Sequence, residues 1–449
     1  MTELPNSWEK AKFADFGTWI GGGTPSKANS DFWNGDIPWI SPKDMKSKII
    51  RAAIDGITED AIDNSAAKLV PAGSVLMVIR SGILAHTLPI AITAMDSALN
   101  QDLKALTLPD GISSEFIAWG MRAFEQSILV SCRKGGTTVH SIEMPSLAAF
   151  ELPIAPTNEQ RRIVARIEAM FDEIDHGVEN LKKAKATLGL YRQSLLKAAF
   201  EGRLTADWRA RNGIATGNRA QIYLNDCIEF LTSGSRGWAD YYADQGDIFI
   251  RAQNLKHDRL KLEDIAYVKL PAGNSEGMRT RVKRGDILIT ITGANVTKTA
   301  LVENDLGVAY VSQHVALCRL SGELNPRYVW HFLLSKSGGR KQLEEAAYGA
   351  GKPGLNLTNI REVRIPICAP EEQAEIARLL DARLSAAEAL EAEIDASLAR
   401  AEALRQSILK QAFSGKLVAQ DPMDEPAATL LARIKTARRQ KTSPRKISA

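Results

Sequence analysis

One segment of this chain occurs twice. YRQSLLKAAFEGRL, from Tyr191 to Leu204, returns as LRQSILKQAFSGKL from Leu404 to Leu417, an offset of 213 residues (404 − 191) at which 9 of the 14 aligned residues are identical. The same offset carries Pro153 onto Pro366, and the register holds without a gap to Leu204 and Leu417. A period this long lies far outside the 20 to 50 residues of stacked repeat arrays, so each copy must be a domain-sized unit that builds its own core.

Two textures alternate around the repeat. Residues 1–152 and 223–365 are rich in Gly, Pro, Ser and Thr and carry short β-type runs, SVLMVI from Ser74 and DILITITG from Asp286; they read as two globular α/β modules. Residues 153–204 and 366–417 lose proline after PIAPTNEQ and PICAPEEQ and take up helical spacing. In the first, Ile167, Ile174, Leu181, Leu188 and Leu195 recur every seven residues, with Ile163, Met170, Ala184, Tyr191 and Ala198 as companions, which predicts a heptad seam. The second has a looser seam of Ile376, Leu380, Leu390, Ile394, Leu404 and Ile408, interrupted by Arg383, Ala387, Ser397 and Ala401. A helix of about 40 residues is roughly 60 Å long and needs another long helix beside it.

The first helix is rich in Arg and Lys and the second opens with Glu371, Glu372, Glu375 and Asp381. That opposition favours an intramolecular two-helix coiled coil, with homodimerisation through each helix as the alternative. Residues 205–222 read as a polar linker and 418–449 as a basic tail, in which no acidic residue follows Glu425. The tail reads equally as a phosphate-contacting arm or as a frayed terminus.

The modules repeat weakly in matching order. GDIPWISPKDM from Gly35 parallels GDIFIRAQNL from Gly246, PAGSVLMVIRSGI from Pro71 parallels KRGDILITITGAN from Lys283, and ALNQDLKAL from Ala98 parallels VSQHVALCRL from Val311. Polar residues gather at corresponding strand ends. Reading DNA takes phosphate contacts plus two-pronged side chains for base edges, so these positions are the candidates. In the first module they are Thr24, Ser26 and Lys27 after a glycine run able to cradle phosphate through its amides, then Lys43, Arg80, Ser81 and Thr137. In the second they are Ser233, Arg236, Arg251, Gln253, Asn254, Thr292, Asn295, Lys298 and Lys352.

Catalytic signatures are absent. There is no G-x-x-x-x-G-K-[ST] loop, and Asn325-Pro326-Arg327-Tyr328 lacks the second proline of the N-P-P-Y motif used by amino-methyltransferases. Four scattered cysteines and six dispersed histidines offer neither a disulfide framework nor metal-ligand spacing. A net charge of +4, from 57 basic and 53 acidic residues, does not by itself mark a nucleic-acid binder. No apolar run is long enough to span a bilayer and the N-terminus lacks a signal-like stretch, so a cytoplasmic protein without membrane contact is expected.

The two RQS(L/I)LK helix ends, the proline-flanked EQ segments, the GDIPWI opening and the GLNLTNI module closure together resemble the specificity subunits of type I restriction-modification systems. The resemblance covers essentially the whole chain. It implies an α+β fold in which two similar α/β target-recognition domains are separated by two long antiparallel helices with internal pseudo-two-fold symmetry. It further implies a non-catalytic subunit that reads a bipartite double-stranded DNA target. Two methyltransferase subunits would dock on the helices, with Tyr191, Arg192, Gln193, Phe200, Arg405, Gln406 and Phe413 as candidate contacts, and two motor-nuclease subunits would join for cleavage. S-adenosylmethionine, ATP and Mg2+ would then belong to those partners, with no cofactor on this chain. A stand-alone nuclease or methyltransferase, or a coiled-coil interaction protein that does not bind DNA, are the competing classes.

Overall fold

The structure is a computed structural model that describes residues 3–135, 139–214, 219–271, 275–349 and 353–442, with side chains to residue 440. The chain divides into two compact units, Met1–Asn180 with Ser397–Ala449, and Leu181–Ala396. The sequence boundaries separate helices from modules. The compact units instead each take one module together with part of each long helix.

In the first unit the strands that matter are β1 (Thr18–Gly21), β2 (Trp33–Ile40), β3 (Val75–Val78), β4 (Ile90–Thr93), β5 (Ser97–Leu99) and β6 (Leu103–Thr107). One sheet runs β1-β6-β3-β4, and a second pairs β2 with β5 in parallel. Every residue of β3 and β4 is buried, which is why those runs are continuously apolar rather than alternating. Helix α1 (Ser114–Ala123) covers the sheet, and the long helix α2 begins at Thr157 and ends at Phe200.

The second unit repeats this order with β7 (Ile228–Ser233), β8 (Asp247–Ile250), β9 (Ile287–Thr290), β10 (Thr299–Leu301), β11 (Ala309–Val311) and β12 (Val315–Leu320). Its sheets are β7-β12-β9-β10 and a parallel β8-β11 pair. Helix α3 (Pro326–Leu334) stands where α1 does, and the long helix α4 runs Pro370–Ala412. Asn325, the first residue of the incomplete N-P-P-Y match, is the α3 N-cap, its side chain accepting from Arg327 N and Tyr328 N.

The long helices keep one predicted seam line and exchange the other. Ile167, Ile174, Leu181, Leu188 and Leu195 are buried or half-buried as expected. The second line of α2 is Phe171, Val178, Lys185, Arg192 and Ala199, while Ala184 and Tyr191 of the expected companions are exposed. On α4 the seam passes through Leu384, Ala387, Ile394, Ala401 and Ile408, and Leu390 and Leu404 stand 52% and 48% exposed. Charged residues close the gaps. In the second unit Lys185 pairs with Asp395 at 2.6 Å and Arg192 with Glu391 at 2.6 Å, an antiparallel pairing within one chain. In the first unit Arg405 pairs with Asp175 and lies 5.0 Å from the Phe171 ring centroid. These contacts give the helices partners within the chain, as the intramolecular expectation has it.

The helix ends anchor the modules. Phe413 meets Phe116 of α1 at 4.9 Å between centroids, and its counterpart Phe200 meets Tyr328 and Phe332 of α3 at 5.3 and 5.0 Å. Glu159 and Glu372, at equivalent positions in the EQ segments, are both buried but differently partnered. Burial opposes the charge on Glu372, yet the Thr205 hydroxyl at 2.6 Å and the Arg209 and Arg219 guanidiniums outweigh it and hold its carboxyl below the usual range. Burial wins at Glu159, which Gln420 contacts through a neutral carboxamide, and its carboxyl titrates above the usual range.

Two polar segments differ from expectation. Within the expected linker, Ala206–Arg211 is helical and Arg209 is buried on Glu372. Within the expected tail, Ala427–Thr442 forms helix α5, which buries Ala427, Leu430 and Ile434. Arg438 of α5 donates to Ala14 O at 2.7 Å and Thr18 Oγ1 at 2.8 Å, so this part of the tail is not a frayed terminus. All four cysteines are free.

Replacing Phe413 by Ala should cost about 3–5 kcal/mol and raise amide exchange in the first unit, while Phe200→Ala does so in the second. Hydrogen-exchange mass spectrometry resolves the two. The Glu372 clamp should be at full strength above about pH 4.5 and be lost as pH falls through its depressed pKa, whereas Glu159 favours the folded state more as pH falls. Exchange at residues 205–211 should therefore rise on acidification before exchange at 157–165 does.

Candidate nucleic-acid interface

Sheet register makes the two modules comparable residue by residue. Gly21 and Ser233 hold the same ladder position, facing Lys104 and Ala316, and Val78 and Thr290 face Leu103 and Val315. In the parallel pairs, Trp39 and Phe249 face Ala98 and Tyr310. Counting on from these anchors, Thr24 corresponds to Arg236, Ser41 to Arg251, Lys43 to Gln253, Arg80 to Thr292, Gln101 to Gln313 and Asp102 to His314. The sequence match at Ala98 and Val311 is thereby shifted by one residue.

All these positions surround one strand junction in each module. Ile79 N donates to Asp102 O at 2.8 Å, and Ile291 N to His314 O at 2.9 Å. Asn100 N donates to Ile40 O, and Ser312 N to Ile250 O, both at 2.9 Å. The turn after the parallel strand is closed alike in both copies: Ser41 N donates to Asp44 Oδ2 at 2.8 Å and Arg251 N to Asn254 Oδ1 at 2.9 Å.

The glycine run reads differently in three dimensions. Gly22 N and Gly23 N donate to Leu103 O and Leu99 O, so these amides do not form a phosphate cradle. A Cβ on Gly22 would lie 1.8 Å from Asn100 O, and one on Gly234 2.3 Å from Val311 O. Close backbone approach is what requires glycine there. Thr24 then bonds Gln101, and Ser26 O accepts from Trp33 Nε1 at 3.1 Å, leaving the Ser26 and Lys27 side chains exposed. Lys43 and Arg80 are also exposed, whereas Ser81 spends its hydroxyl capping Ile83 N.

In the second module Arg236 and Gln253 are exposed and Arg251 half-buried. Asn254 is only 2% exposed and its amide donates to Lys261 O and Asp264 O at 3.1 and 2.8 Å, so it holds the turn and presents nothing to a ligand. Asp264 also accepts from Gln253 Nε2 at 2.9 Å. Lys298 lies 3.9 Å from Asp258, Asn295 Nδ2 donates to Ala252 O at 3.5 Å, and Thr292 bridges Gly354 of the closing loop. Ser233 is half-buried at the end of β7. Thr137 and Lys352 lie outside the described residues.

Arg236, Arg251, Gln253, Gln313 and His314 line a recess of about 460 Å³ whose walls include Trp238 and Phe249. Beside it, Glu276 is held below its usual range by Arg279 and by the Ser235 hydroxyl. Gln101, Gln313 and His314 were not singled out by sequence. Their signal was the ALNQDLKAL and VSQHVALCRL match itself, once its register is corrected.

Of the helix-end candidates, Arg192 and Arg405 are spent on ion pairs, Gln193 accepts from Lys336 N at 2.9 Å, and Phe200 and Phe413 pack inside their units. Tyr191 and Gln406 are exposed. Among the described residues no group of acidic, histidine or cysteine side chains could hold a metal, and no helix is long and apolar enough to cross a membrane.

A family model described as the type I restriction modification DNA specificity domain matches residues 5–183 and 238–400. The chain is 41% identical over 165 residues to the specificity subunit of the type I restriction enzyme EcoR124I/EcoR124II of Escherichia coli, covering 36% of this chain and 41% of that protein. To the EcoKI specificity subunit of E. coli strain K12 it is 25% identical over 346 residues, 73% of this chain and 72% of the other. The MjaIX specificity subunit of Methanocaldococcus jannaschii is 29% identical over 201 residues, 44% of this chain and 45% of that one. The matched stretch thus spans less than half the length of the EcoR124I/EcoR124II and MjaIX subunits. Two solved structures share the fold: a chain from work on complex assembly and conformational transition of the type I R-M system (TM-score 0.72, 16% identity, 93% of this chain and 100% of that chain) and the HsdS subunit from Thermoanaerobacter tengcongensis (TM-score 0.56, 18% identity, 92% and 98%).

Asn254→Ala should lower stability by about 1–3 kcal/mol, because two backbone carbonyls lose their donor and Arg251 N its acceptor. Gln253→Ala, one residue away, should leave the melting temperature within about 1 °C and alter only ligand binding. Calorimetry of the two variants separates the roles.

Proposed function

Since this chain belongs to the type I restriction-modification DNA specificity family, we propose that it is the DNA-recognition subunit of such a complex, each module binding one half of a bipartite, asymmetric duplex target. The observation that carries this is the pair of loop clusters: one backbone frame, built twice, holding different side chains at Thr24/Arg236, Ser41/Arg251, Lys43/Gln253, Arg80/Thr292 and Asp102/His314. A frame held by backbone hydrogen bonds gives each half-site the same approach, and unlike side chains let the halves differ in sequence. Exposed Lys27, Lys43, Arg80 and Arg236 supply phosphate contacts, whose release of counterions makes binding fall steeply with salt.

The two long helices act as the ruler between half-sites. At 44 and 43 residues each is about 65 Å long by its rise. Half-sites on one duplex face must be separated in step with the helical repeat, so spacer length sets the unread gap.

The reaction belongs to partners. Directed adenine-N6 methylation or ATP-dependent cleavage would be performed by two methyltransferase and two motor-nuclease subunits, which bring S-adenosylmethionine, ATP and Mg2+, acting on DNA in the cytoplasm. What this chain contributes is position. The duplicated helix ends support a symmetric pair of docking sites: Ser194/Ser407 and Lys197/Lys410 are identical in both copies yet exposed, so packing does not account for their retention. Tyr191 and Gln406 lie on the exposed surface beside them.

Inserting one heptad into both helices should lengthen the unread gap by about 10 Å, roughly three base pairs, with both half-sites unchanged. Exchanging residues 1–152 for another first module should change one half-site and leave the other. Mapping methylated positions in a host that carries the complex reads both outcomes. A gap that stays constant while DNA binding persists would remove the ruler, and turnover by the purified chain alone would contradict the non-catalytic role.

A further inference from the structure

The recess of the second module holds buried side-chain donors that no protein atom satisfies. Trp238 Nε1, Arg251 Nε and Ser312 Oγ belong to residues that line it, and all three atoms are buried without a hydrogen-bond partner. Trp238 and Ser312 are themselves more than nine-tenths buried. The acceptor at hand is Asp264, whose carbonyl takes Arg251 Nη2 at 3.3 Å and whose carboxylate lies 3.8 Å from that nitrogen. It fixes the guanidinium plane without satisfying Nε. Buried donors left unpaired are costly, so their persistence together marks a place where an acceptor arrives from outside.

The first module shows the contrast at matched positions. Ser41 replaces Arg251 and donates its hydroxyl to Asp44 at 2.9 Å, Thr24 replaces Arg236, and Asp102 replaces His314. Trp39, matched to Phe249, donates its Nε1 to Gly23 O at 3.0 Å and Trp33 Nε1 donates to Ser26 O at 3.1 Å, while Trp8 Nε1 and Trp19 Nε1 of this module are buried without a partner. The unpaired donors of the recess are therefore not reproduced at the matched positions Ser41 and Asn100, whose side chains bond Asp44 and Asp102.

We propose that the second module recognises guanine, with Arg251 as the specificity-determining residue, oriented by Asp264, and Arg236 and Gln313 on the same rim. This deepens the DNA-reading function above and rests on it. Of the base edges in the major groove, guanine alone presents two adjacent acceptors, O6 and N7, and a guanidinium fork matches that pair. Adenine sets a donor beside its acceptor, and thymine sets a methyl group beside one acceptor, so neither gives both prongs of the Arg251 guanidinium an acceptor. A phosphate would satisfy donors too. The recess, however, is walled by Trp238 stacked on Phe249 at 4.7 Å and by Tyr242 edge-on to Phe249 at 5.5 Å, an apolar surround suited to a flat base edge.

The test uses the full chain in complex with its methyltransferase subunits. Methylation mapping first gives the two half-sites, and exchange of module 2 shows which one it reads. That half-site should contain an obligate guanine, and replacing it by 7-deazaguanine, which lacks the N7 acceptor, should weaken binding about tenfold or more. Arg251→Lys, which keeps the charge and loses the fork, should abolish discrimination at that one position while affinity for substituted duplexes is retained. Gln313→Ala provides a second variant should Arg251 substitutions unfold the module. A module 2 half-site without an obligate guanine, or an Arg251→Lys loss equal across all sequences as a phosphate contact would give, overturns the guanine assignment and leaves the DNA-reading function standing. Absence of any bipartite target overturns both.

Discussion

Both modules are fastened by one buried carboxamide. Gln160 and Gln373, in the first turns of α2 and α4, are fully buried and make the same two bonds. Oε1 accepts from the N-cap amide of the covering helix, Ser113 N or Asn325 N, at 2.9 Å in each copy, and Nε2 donates to Ala155 O at 2.8 Å or Cys368 O at 2.9 Å. In a low-dielectric interior, loss of that side chain would strand two backbone groups as well as open a cavity. The start of each long helix is thus tied to the start of the helix that backs its sheet. The sheet in turn carries the loop cluster, so this glutamine, together with the Phe413 and Phe200 contacts at the helix ends, sets how the candidate DNA contacts are held within a unit.

The repeat, the two textures and one heptad line were legible in the sequence because burial of aliphatic side chains imposes a period. The second seam line was not. At Lys185, Arg192, Glu391 and Arg405 it is built from charged residues, whose stems pack while their heads pair across the helices. Apolar periodicity is blind to such positions and drew in Leu390 and Leu404, which sit in water. The helix Ala206–Arg211 and helix α5 were hidden for a related reason. Their arginines look like solvated charge in a string of letters, but Arg209 closes on a buried glutamate and Arg438 on backbone carbonyls.

At the interface, sequence located the right strand ends and missed the division of labour within them. Asn254 and Gln253 are adjacent amides of the same chemical type. One sits beneath the turn and holds Arg251 N, and the other stands on its surface. Only the path of the backbone separates them. Gly22 and Gly234 teach the same lesson, since a glycine run that suggests anion binding serves here to let two backbones touch.

These details explain how two copies could diverge in what they read without diverging in how they fold. The junction is closed by bonds between main-chain atoms, by a turn that accepts Asp44 or Asn254 equally, and by glycines at the points of closest approach. None of these requires a particular side chain at positions 24, 41, 43, 80 or 102, or at their counterparts. Substitution there changes the donors and acceptors offered to a ligand and leaves the main-chain bonds of the frame in place, so the cost of altering one reader falls first on binding. The helix ends carry the opposite constraint. Arg192/Arg405, Phe200/Phe413 and Gly202/Gly415 each serve packing or turn geometry in both units, which holds the repeat strongest where the modules are fastened. Divergence in the loops and identity in the fastenings are therefore two results of one arrangement, in which recognition is hung on backbone and support on side chains.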